Sequence, residues 1–218
     1  MSRGQALLTA VKASTRGPGR VLSIPVGDPV EAVLRPVATD MAFLNSTDVL
    51  MLTEWRNRFP DAFLTQFRAN ESRTRRWLTE VVGPDDTRIL FMVEDAHLRT
   101  IGYMGLASID WTVGSAEADA VVRGAAAPPG TMTKALLTLL AWGRAQLSLS
   151  SFAVRVRSDN TAVEFYRKLG FHEVKRVPLR KVQESDMIRW VEDPALPLTE
   201  PSLVHMVHAT CTQSQRTS

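Results

Sequence analysis

A strand that runs directly into a helix with both ends marked constrains the fold of this chain more than any other segment. Residues 152–157 (Phe-Ala-Val-Arg-Val-Arg) predict a short strand. Asn160 offers a side chain that accepts hydrogen bonds from a first helical turn, and Glu164 and Lys168 are spaced as a stabilising helical pair. Gly170 falls just past the last turn, where positive φ is common. The block therefore predicts a strand, a helix at 161–169 and a second strand.

The same residues match a longer sequence pattern, N-x-A-x-x-F-Y-x-K-x-G-F. Its fixed positions are Asn160, Ala162, Phe165, Tyr166, Lys168, Gly170 and Phe171. The pattern resembles the C-terminal coenzyme A motif of the GNAT superfamily of N-acetyltransferases. The resemblance implies an α/β fold whose mixed, mostly antiparallel central sheet is flanked by helices, with a V-shaped splay between the fourth and fifth strands. It also implies acetyl-CoA as the acyl donor.

The order of the other predicted elements agrees with this resemblance. Apolar spacing predicts strands at 30–36, 88–94, 100–110, 116–123, 171–180 and 187–192, and helices at 47–56, 70–82 and 131–147. We therefore expect an acyltransferase domain at 30–193. Because the flanking segments are rich in Gly, Ser, Thr and Pro, we expect a flexible N-terminal arm at 1–29, with at most a short helix, and a mobile C-terminal tail at 194–218.

Composition removes several functional classes. The 218 residues carry a net charge of +3, which is no footprint for nucleic acid, and no apolar run is long enough to cross a bilayer. Cys211 is the only cysteine, which excludes an internal disulfide and fits a reducing compartment. The four histidines form no metal-binding pattern. We expect a cytoplasmic protein without metal, nucleic-acid or membrane partners, and the resemblance adds a homodimer.

The segment between the fourth strand and the long helix is the expected phosphate-binding loop. In the superfamily this loop reads Q/R-x-x-G-x-G/A, but here Thr131 and Thr133 stand where the later glycines are expected. The resemblance assigns coenzyme A contacts to Arg123, Gly130, Thr131, Met132, Thr133 and Lys134. Backbone N–H groups at a helix N-terminus bind anions, so the loop can bind phosphate without the glycines. The alternative is a proline-bounded loop that leads into an amphipathic helix.

Two further roles follow from the resemblance. Backbone N–H groups near Val121 and Val122 would polarise the thioester oxygen, and Tyr166 would donate its phenolic proton to the leaving thiolate. Asn160, Ala162, Phe165 and Lys168 would contact coenzyme A. The alternatives are a plain sheet core for the valines and a half-buried helical aromatic for Tyr166.

Candidates for the general base lie on the fourth strand. Glu117 and Asp119 share one face of that strand by the period of two, and Asp110 at the end of the third strand is a third candidate. For each of them the alternative is a solvated strand end.

The acceptor site is expected between the first two helices. Residues 54–76 contain six arginines and three acids, and Trp55, Arg56 and Asn57 resemble GNAT enzymes that acetylate amino groups of nucleotide-linked sugars. The alternative places Trp55 in the core. We therefore expect an acetyl-CoA-dependent N-acetyltransferase that acts on a primary amine of a small molecule, with an amino sugar as the narrower hypothesis. A protein or antibiotic acetyltransferase and a non-catalytic acyl-CoA-binding domain stay open.

Overall fold

A ten-stranded sheet organises the computed structural model, which describes residues 2–17, 21–199 and 201–209. The strands are β1 (Ile24–Val26), β2 (Ala32–Pro36), β3 (Thr65–Phe67), β4 (Ile89–Asp95), β5 (Thr100–Asp110), β6 (Ser115–Arg123), β7 (Ser151–Arg157), β8 (His172–Glu184), β9 (Met187–Glu192) and β10 (Ser202–Ala209). Their order across the sheet is β1-β2-β4-β5-β6-β7-β10-β8-β9-β3. Every neighbouring pair is antiparallel except β6 and β7, which run parallel.

Helices cover both faces of this sheet. They are α1 (Arg3–Ala13), α2 (Ser46–Arg58), α3 (Glu71–Arg76), α4 (Thr131–Leu147) and α5 (Ala162–Lys168), and α3 continues as a π-helical segment over Trp77–Val82. Asn70 caps α3, since its side chain accepts a hydrogen bond from the N–H of Arg73. None of the helices in the described part of the chain has the length and apolar character to span a membrane.

Alternation along β4 shows how the sheet serves two hydrophobic cores. Ile89, Phe91 and Val93 are buried in the core that α1, α4 and α5 cover. Leu90 and Met92 point the other way, into the core beneath α2 and the π-helical segment. A strand buried on both faces must be apolar throughout, which is why residues 89–93 form an unbroken apolar run.

The predicted splay lies between β6 and β7, which are the fourth and fifth of the strands expected from the sequence. Their parallel pairing covers only Ser115 to Glu117 against Ser151 to Ala153. Beyond Glu117 the two strands diverge and leave a V-shaped gap in the sheet. The predicted fold class is confirmed by this mixed, mostly antiparallel sheet and its flanking helices.

The prediction of a flexible arm at 1–29 is wrong for the residues that form α1 and β1. Helix α1 buries Leu8 and Val11 in the core against α4, and β1 pairs with β2. Lys12 fixes the helix further, because its ammonium donates to the carbonyl oxygens of Val82 (2.7 Å) and Asp85 (2.6 Å). The apolar side of α1 is short, so the glycines and arginines that follow it masked the signal. Residues 1 and 18–20 lie outside the described part.

The expected mobile tail at 194–218 is wrong for residues 202–209. Strand β10 inserts between β7 and β8 and pairs with both, and Leu203, Val204 and Met206 are buried in it. The Pro, Thr and Ser residues that precede the strand hid its short apolar pattern. His205 and His208, which belong to the predicted tail, therefore lie in the sheet. Residues 200 and 210–218, including Cys211, lie outside the described part.

Candidate active site

A cleft of about 780 Å³ opens where β6 and β7 diverge. Its walls come from four parts of the chain that are far apart in sequence. They are β6 (117–123), the loop and first turn of α4 (127–133), the end of β7 with the start of α5 (154–157, 160–162, 165–166), and the segment between α2 and β3 (56, 59, 62–65). The splay therefore gathers most of the predicted site residues in one cavity.

The N-terminus of α4 offers backbone donors to this cleft. Gly130 precedes the helix in the left-handed conformation (φ +84°), and no side chain caps the first turn. The N–H of Thr131 donates to the oxygen of Pro128 (3.2 Å), whereas the N–H groups of Met132 and Thr133 have no acceptor among the described residues. Both of these residues line the cleft. Free amides at a helix N-terminus are a ready anion site, so the threonines that replace glycine do not remove the site.

Lys134 does not join this anion site. Its ammonium forms an ion pair with Glu31 (2.6 Å), and Lys134 is absent from the cleft wall. The expected contact between Lys134 and coenzyme A is therefore not supported by the geometry. Arg123, in contrast, lines the cleft at the end of β6.

A β-bulge marks the wall that β6 contributes. Tyr103 of β5 pairs with Val122 and Gly105 pairs with Asp119, so Met104 alone faces two residues, Ala120 and Val121. Ala120 adopts a positive φ of 53°, a conformation that costs a non-glycine residue on the order of 1 kcal/mol. Bulges re-aim the backbone and side chains of a strand, and this one turns β6 at the point where Val121 and Val122 line the cleft.

Tyr166 stands at the junction of α5 and the cleft. It is 7% exposed and packs edge-on against Phe165 and Phe171, with ring centroids 5.3 and 5.4 Å apart. Its hydroxyl group makes no hydrogen bond within the described residues, and the residue lines the cavity. Burial raises the pKa of Tyr166, and the nearby carboxylates of Asp119 and Glu117 raise it further. The side chain is therefore a phenol with a proton to donate.

The two carboxylates predicted on β6 both line the cleft, but their partners differ. Both carboxylate oxygens of Glu117 accept from Arg155 (2.9 and 3.0 Å), and its side chain is 17% exposed. Asp119 accepts one bond from Arg88 (3.2 Å) and is 39% exposed. Asp119 is thus the carboxylate with the greater capacity to accept a further bond. No cluster of three or more His, Cys, Asp and Glu side chains suited to a metal ion occurs in residues 2–17, 21–199 and 201–209.

Asp110 does not belong to this site. Its carboxylate accepts from the N–H groups of Thr112 (2.8 Å) and Val113 (3.0 Å) and closes the turn after β5. These backbone bonds hold the pKa of Asp110 below its usual value. The cleft wall does not include it.

Of the residues in and just before α5 that were predicted to contact coenzyme A, some line the cleft and one does not. Asn160 lines the cleft and its side chain accepts from the N–H of Ala162 (2.9 Å), which fixes the start of the helix. Ala162 and Phe165 also line the cavity, whereas Lys168 is exposed and outside the wall. The strand and helix together thus present one face of the motif to the cleft.

Of the three residues expected to bind the acceptor, only Arg56 reaches the cleft. Trp55 is 4% exposed and stacks on Tyr103 with ring centroids 6.2 Å apart, so it lies in the core, as in the alternative given with the prediction. Asn57 is also engaged within the protein, because its side chain bonds to both the N–H and the oxygen of Ala69 (2.7 and 3.0 Å).

Two parts of the cleft wall were not foreseen. Arg155 and Arg157 alternate along β7 and therefore share a face, a pattern that the sequence displays directly before the motif. Residues 62–65 lead into β3, which pairs with β9 and is not among the strands predicted from the sequence. A three-residue strand carries too little pattern to be recognised from sequence.

A splayed sheet whose gap holds a helix N-terminus, a free tyrosine hydroxyl and a carboxylate defines an acyl-CoA-dependent acyltransferase. The family model for the acetyltransferase (GNAT) domain matches residues 32–172. The chain therefore belongs to the GNAT family. It is an N-acetyltransferase and acetyl-CoA is its co-substrate.

Solved structures with the same fold share little sequence with this chain. A spermidine N-acetyltransferase from Vibrio cholerae in complex with CoA and spermine has a TM-score of 0.63 at 18% identity, covering 82% of this chain and 95% of that one. A probable GNAT acetyltransferase from Chromobacterium violaceum has 0.65 at 16% identity, covering 88% of each chain. RimL, a ribosomal L7/L12 alpha-N-protein acetyltransferase, has 0.64 at 14%, covering 89% and 97%. A search of curated proteins found no match.

Proposed function

We propose that this chain acetylates the primary amine of a small molecule by direct attack of the amine on the thioester of acetyl-CoA. One observation supports this most: the uncapped N-terminus of α4, the hydroxyl of Tyr166 and the carboxylate of Asp119 line the same cleft. An anion site, a proton donor and a proton acceptor are the groups that amine acetylation requires. When bound, acetyl-CoA supplies the acetyl group and the thiol leaving group.

The cleft residues fit the coenzyme. The free N–H groups of Met132 and Thr133 would bind its pyrophosphate, because the positive end of a seventeen-residue helix adds to their hydrogen bonds. A Cβ at Gly130 would meet no atom within 4 Å, so the approach to this turn is open. Asn160, Ala162 and Phe165 would contact the coenzyme along the opposite wall.

Asp119 is the stronger of the two candidates for the base. Its single bond to Arg88 and its greater exposure leave it able to accept a proton from an ammonium, whereas Arg155 occupies both oxygens of Glu117. Glu117 would add negative charge that attracts a cationic amine into the cleft. Backbone N–H groups near Val121 and Val122 would orient the thioester oxygen, and Tyr166 would protonate the leaving thiolate.

The narrower hypothesis of a nucleotide-linked amino sugar loses its main support, since Trp55 is buried. The amino sugar therefore stays as one member of a panel of amines. A homodimer and a cytoplasmic location stay predictions, and light scattering tests the first.

Two measurements test the proposed function. Isothermal titration with acetyl-CoA should show binding to the wild-type protein, and thiol release should then accelerate with at least one amine from a panel of amino sugars, polyamines, amino acids and peptides. If acetyl-CoA does not bind at millimolar concentration, the proposed activity is contradicted. Turnover with peptides alone would move the assignment to a protein acetyltransferase.

A further inference from the structure

Arg56 is a largely buried cation in the cleft wall, and no carboxylate of the described residues pairs with it. Of the five N–H donors of a guanidinium, one donates to the oxygen of Thr65 (2.7 Å). Nε is buried with no acceptor, and no acceptor is found for Nη1 among the described residues. The rings of Phe63 and Phe67 lie 4.3 and 4.2 Å from the guanidinium carbon, so they hold its plane in place.

Two other poorly exposed arginines have acidic partners, whereas Arg144, which has none among the described residues, lies outside the cleft wall and bonds to His208. Arg35 binds both oxygens of Asp48 (2.8 and 2.9 Å) and also Glu94 (2.7 Å). Arg157, with a side chain 9% exposed, forms two bonds to Asp159. Burial without such compensation lowers the pKa of Arg56, and the charge of Arg73 lowers it further.

Asp119, the carboxylate whose charge acts on Arg56, does not supply the missing partner. Asp119 acts on Arg56 only at a distance, since it forms its ion pair with Arg88 and none with Arg56 within 4 Å. A buried charge without a counter-ion is costly, and a ligand that supplies the opposite charge removes part of this cost. Arg56 lines the cleft, so a ligand can reach it.

We propose that Arg56 binds an oxyanion, a carboxylate or a phosphate, carried by the acceptor itself. This inference rests on the proposed function and names its substrate class: an amine that also carries an anion. The ammonium group faces Asp119 and Glu117, and the anion faces the guanidinium held between Phe63 and Phe67. Polycations such as spermidine are disfavoured, because Arg56 repels a second ammonium group.

Matched acceptors test the charge requirement. Phosphoethanolamine is compared with ethanolamine, and ω-amino acids of two to four carbons are compared with alkylamines of the same length. In the wild type, kcat/KM for the anionic member of the best pair should exceed that for the neutral member by about 10- to 100-fold, as for a hydrogen bond to a charged group. The phosphate and carboxylate pairs separate the two sources of the oxyanion.

Variants identify Arg56 as the origin of this preference. Arg56→Gln should reduce the ratio within the best pair to about one, and Arg56→Lys should restore part of it, because charge persists without the planar fork. Arg73→Gln is the matched control: Arg73 also stacks on Phe67 (3.6 Å), but it lies outside the cleft wall and pairs with Asp186. The control should keep the wild-type ratio.

A binding measurement keeps this inference separate from the proposed function. Isothermal titration of the best pair into the wild type and Arg56→Gln, both saturated with CoA, requires no turnover. Wild-type protein that binds the anionic member no more tightly than the neutral one overturns the role of Arg56. The same holds if Arg56→Gln keeps the preference. Selective binding that is lost in the variant supports the inference even if acetyl transfer to the whole panel fails, a result that would contradict the proposed function alone.

Discussion

The two halves of the cleft differ in the groups that they offer to a ligand. The cofactor half comprises the first turn of α4, the bulge of β6 and the start of α5, and it offers mainly backbone N–H groups. The acceptor half comprises residues 56–65 with Glu117 and Asp119, and it offers charged side chains. Backbone donors depend on the fold and tolerate substitution, whereas charged side chains change with single residues. Under the proposed function, coenzyme binding would therefore depend on the fold, and acceptor choice on a few side chains.

The largest effect is expected from substitution of Tyr166. In the proposed function this side chain transfers a proton, whereas the rest of the cofactor half offers mainly backbone N–H groups. Tyr166→Phe removes the proton donor without changing the edge-on packing against Phe165 and Phe171. We expect kcat to fall about 10³-fold, within the range for general acid catalysis, and the Kd of acetyl-CoA to stay the same. Steady-state kinetics and isothermal titration measure the two quantities.

Tyr103→Phe serves as the control for this substitution. Tyr103 is buried to a similar extent and burial raises its pKa as well, but it lies outside the cleft wall. Its variant should keep the wild-type kcat. A Tyr166→Phe enzyme with unchanged kcat would show that the hydroxyl group has no role in proton transfer.

The next effect separates the two carboxylates of the acceptor half. Asp119→Asn should lower kcat/KM for the amine about 10²-fold and remove the acidic limb of the pH–rate profile, because the base is lost. Glu117→Gln should act mainly on stability, since Arg155 loses its bidentate partner. Rate profiles and urea unfolding measure both variants. An acidic limb that persists in Asp119→Asn and disappears in Glu117→Gln would exchange their roles.

Gly124 directly follows β6 and contacts the core behind the cleft, so its substitution should reduce stability. A Cβ at Gly124 would approach Trp55 of α2 to 1.9 Å and displace it from Tyr103. We expect Gly124→Ala to lower the free energy of unfolding by about 2–3 kcal/mol, as overpacking does. Gly130→Ala is the control, with nothing within 4 Å but a φ of +84°, and it should cost only about 1 kcal/mol. Equal losses in urea unfolding would contradict the tight contact.

The smallest expected effect concerns a contact between α4 and β10. His208 of β10 accepts a hydrogen bond from Arg144 of α4 (2.8 Å). Burial and the charge of Arg144 lower the pKa of His208 from 6.5. The unfolded chain then binds more protons than the folded one, so stability is full above pH 6.5 and declines as the pH falls below it. The midpoint temperature of thermal unfolding should therefore fall less for His208→Gln than for the wild type as the pH decreases below 6.5. The exposed His97→Gln should follow the wild type.

Local pattern predicted the cofactor half because its elements are continuous in sequence. The caps and apolar stripes of α4 and α5 define these helices without any distant contact, and the strand before α5 is equally local. Lys134 is the instructive failure. Its position near the loop predicted a phosphate contact, but Glu31, more than one hundred residues away in sequence, binds it instead.

The acceptor half could not be predicted in the same way because distant pairings build it. Strand β3 has three residues and gains its definition from β9, more than one hundred residues later. Burial of Trp55 depends on Gly124, whose missing side chain leaves room for the indole. Neither relation produces a period in the sequence. The charge excess of residues 54–76 does not distinguish Arg56 from the other arginines of that segment, whereas its packing does.

Insertion of β10 between β7 and β8 has a consequence for synthesis. A ribosome releases β7 and β8 before β10, so for a time the nascent chain displays two open edges on either side of a gap. Open edges attract foreign strands, and chaperones act on such intermediates. We therefore expect the sheet beside the wall formed by β7 and α5, and with it the proposed coenzyme site, to be complete only after residues 202–209 have emerged.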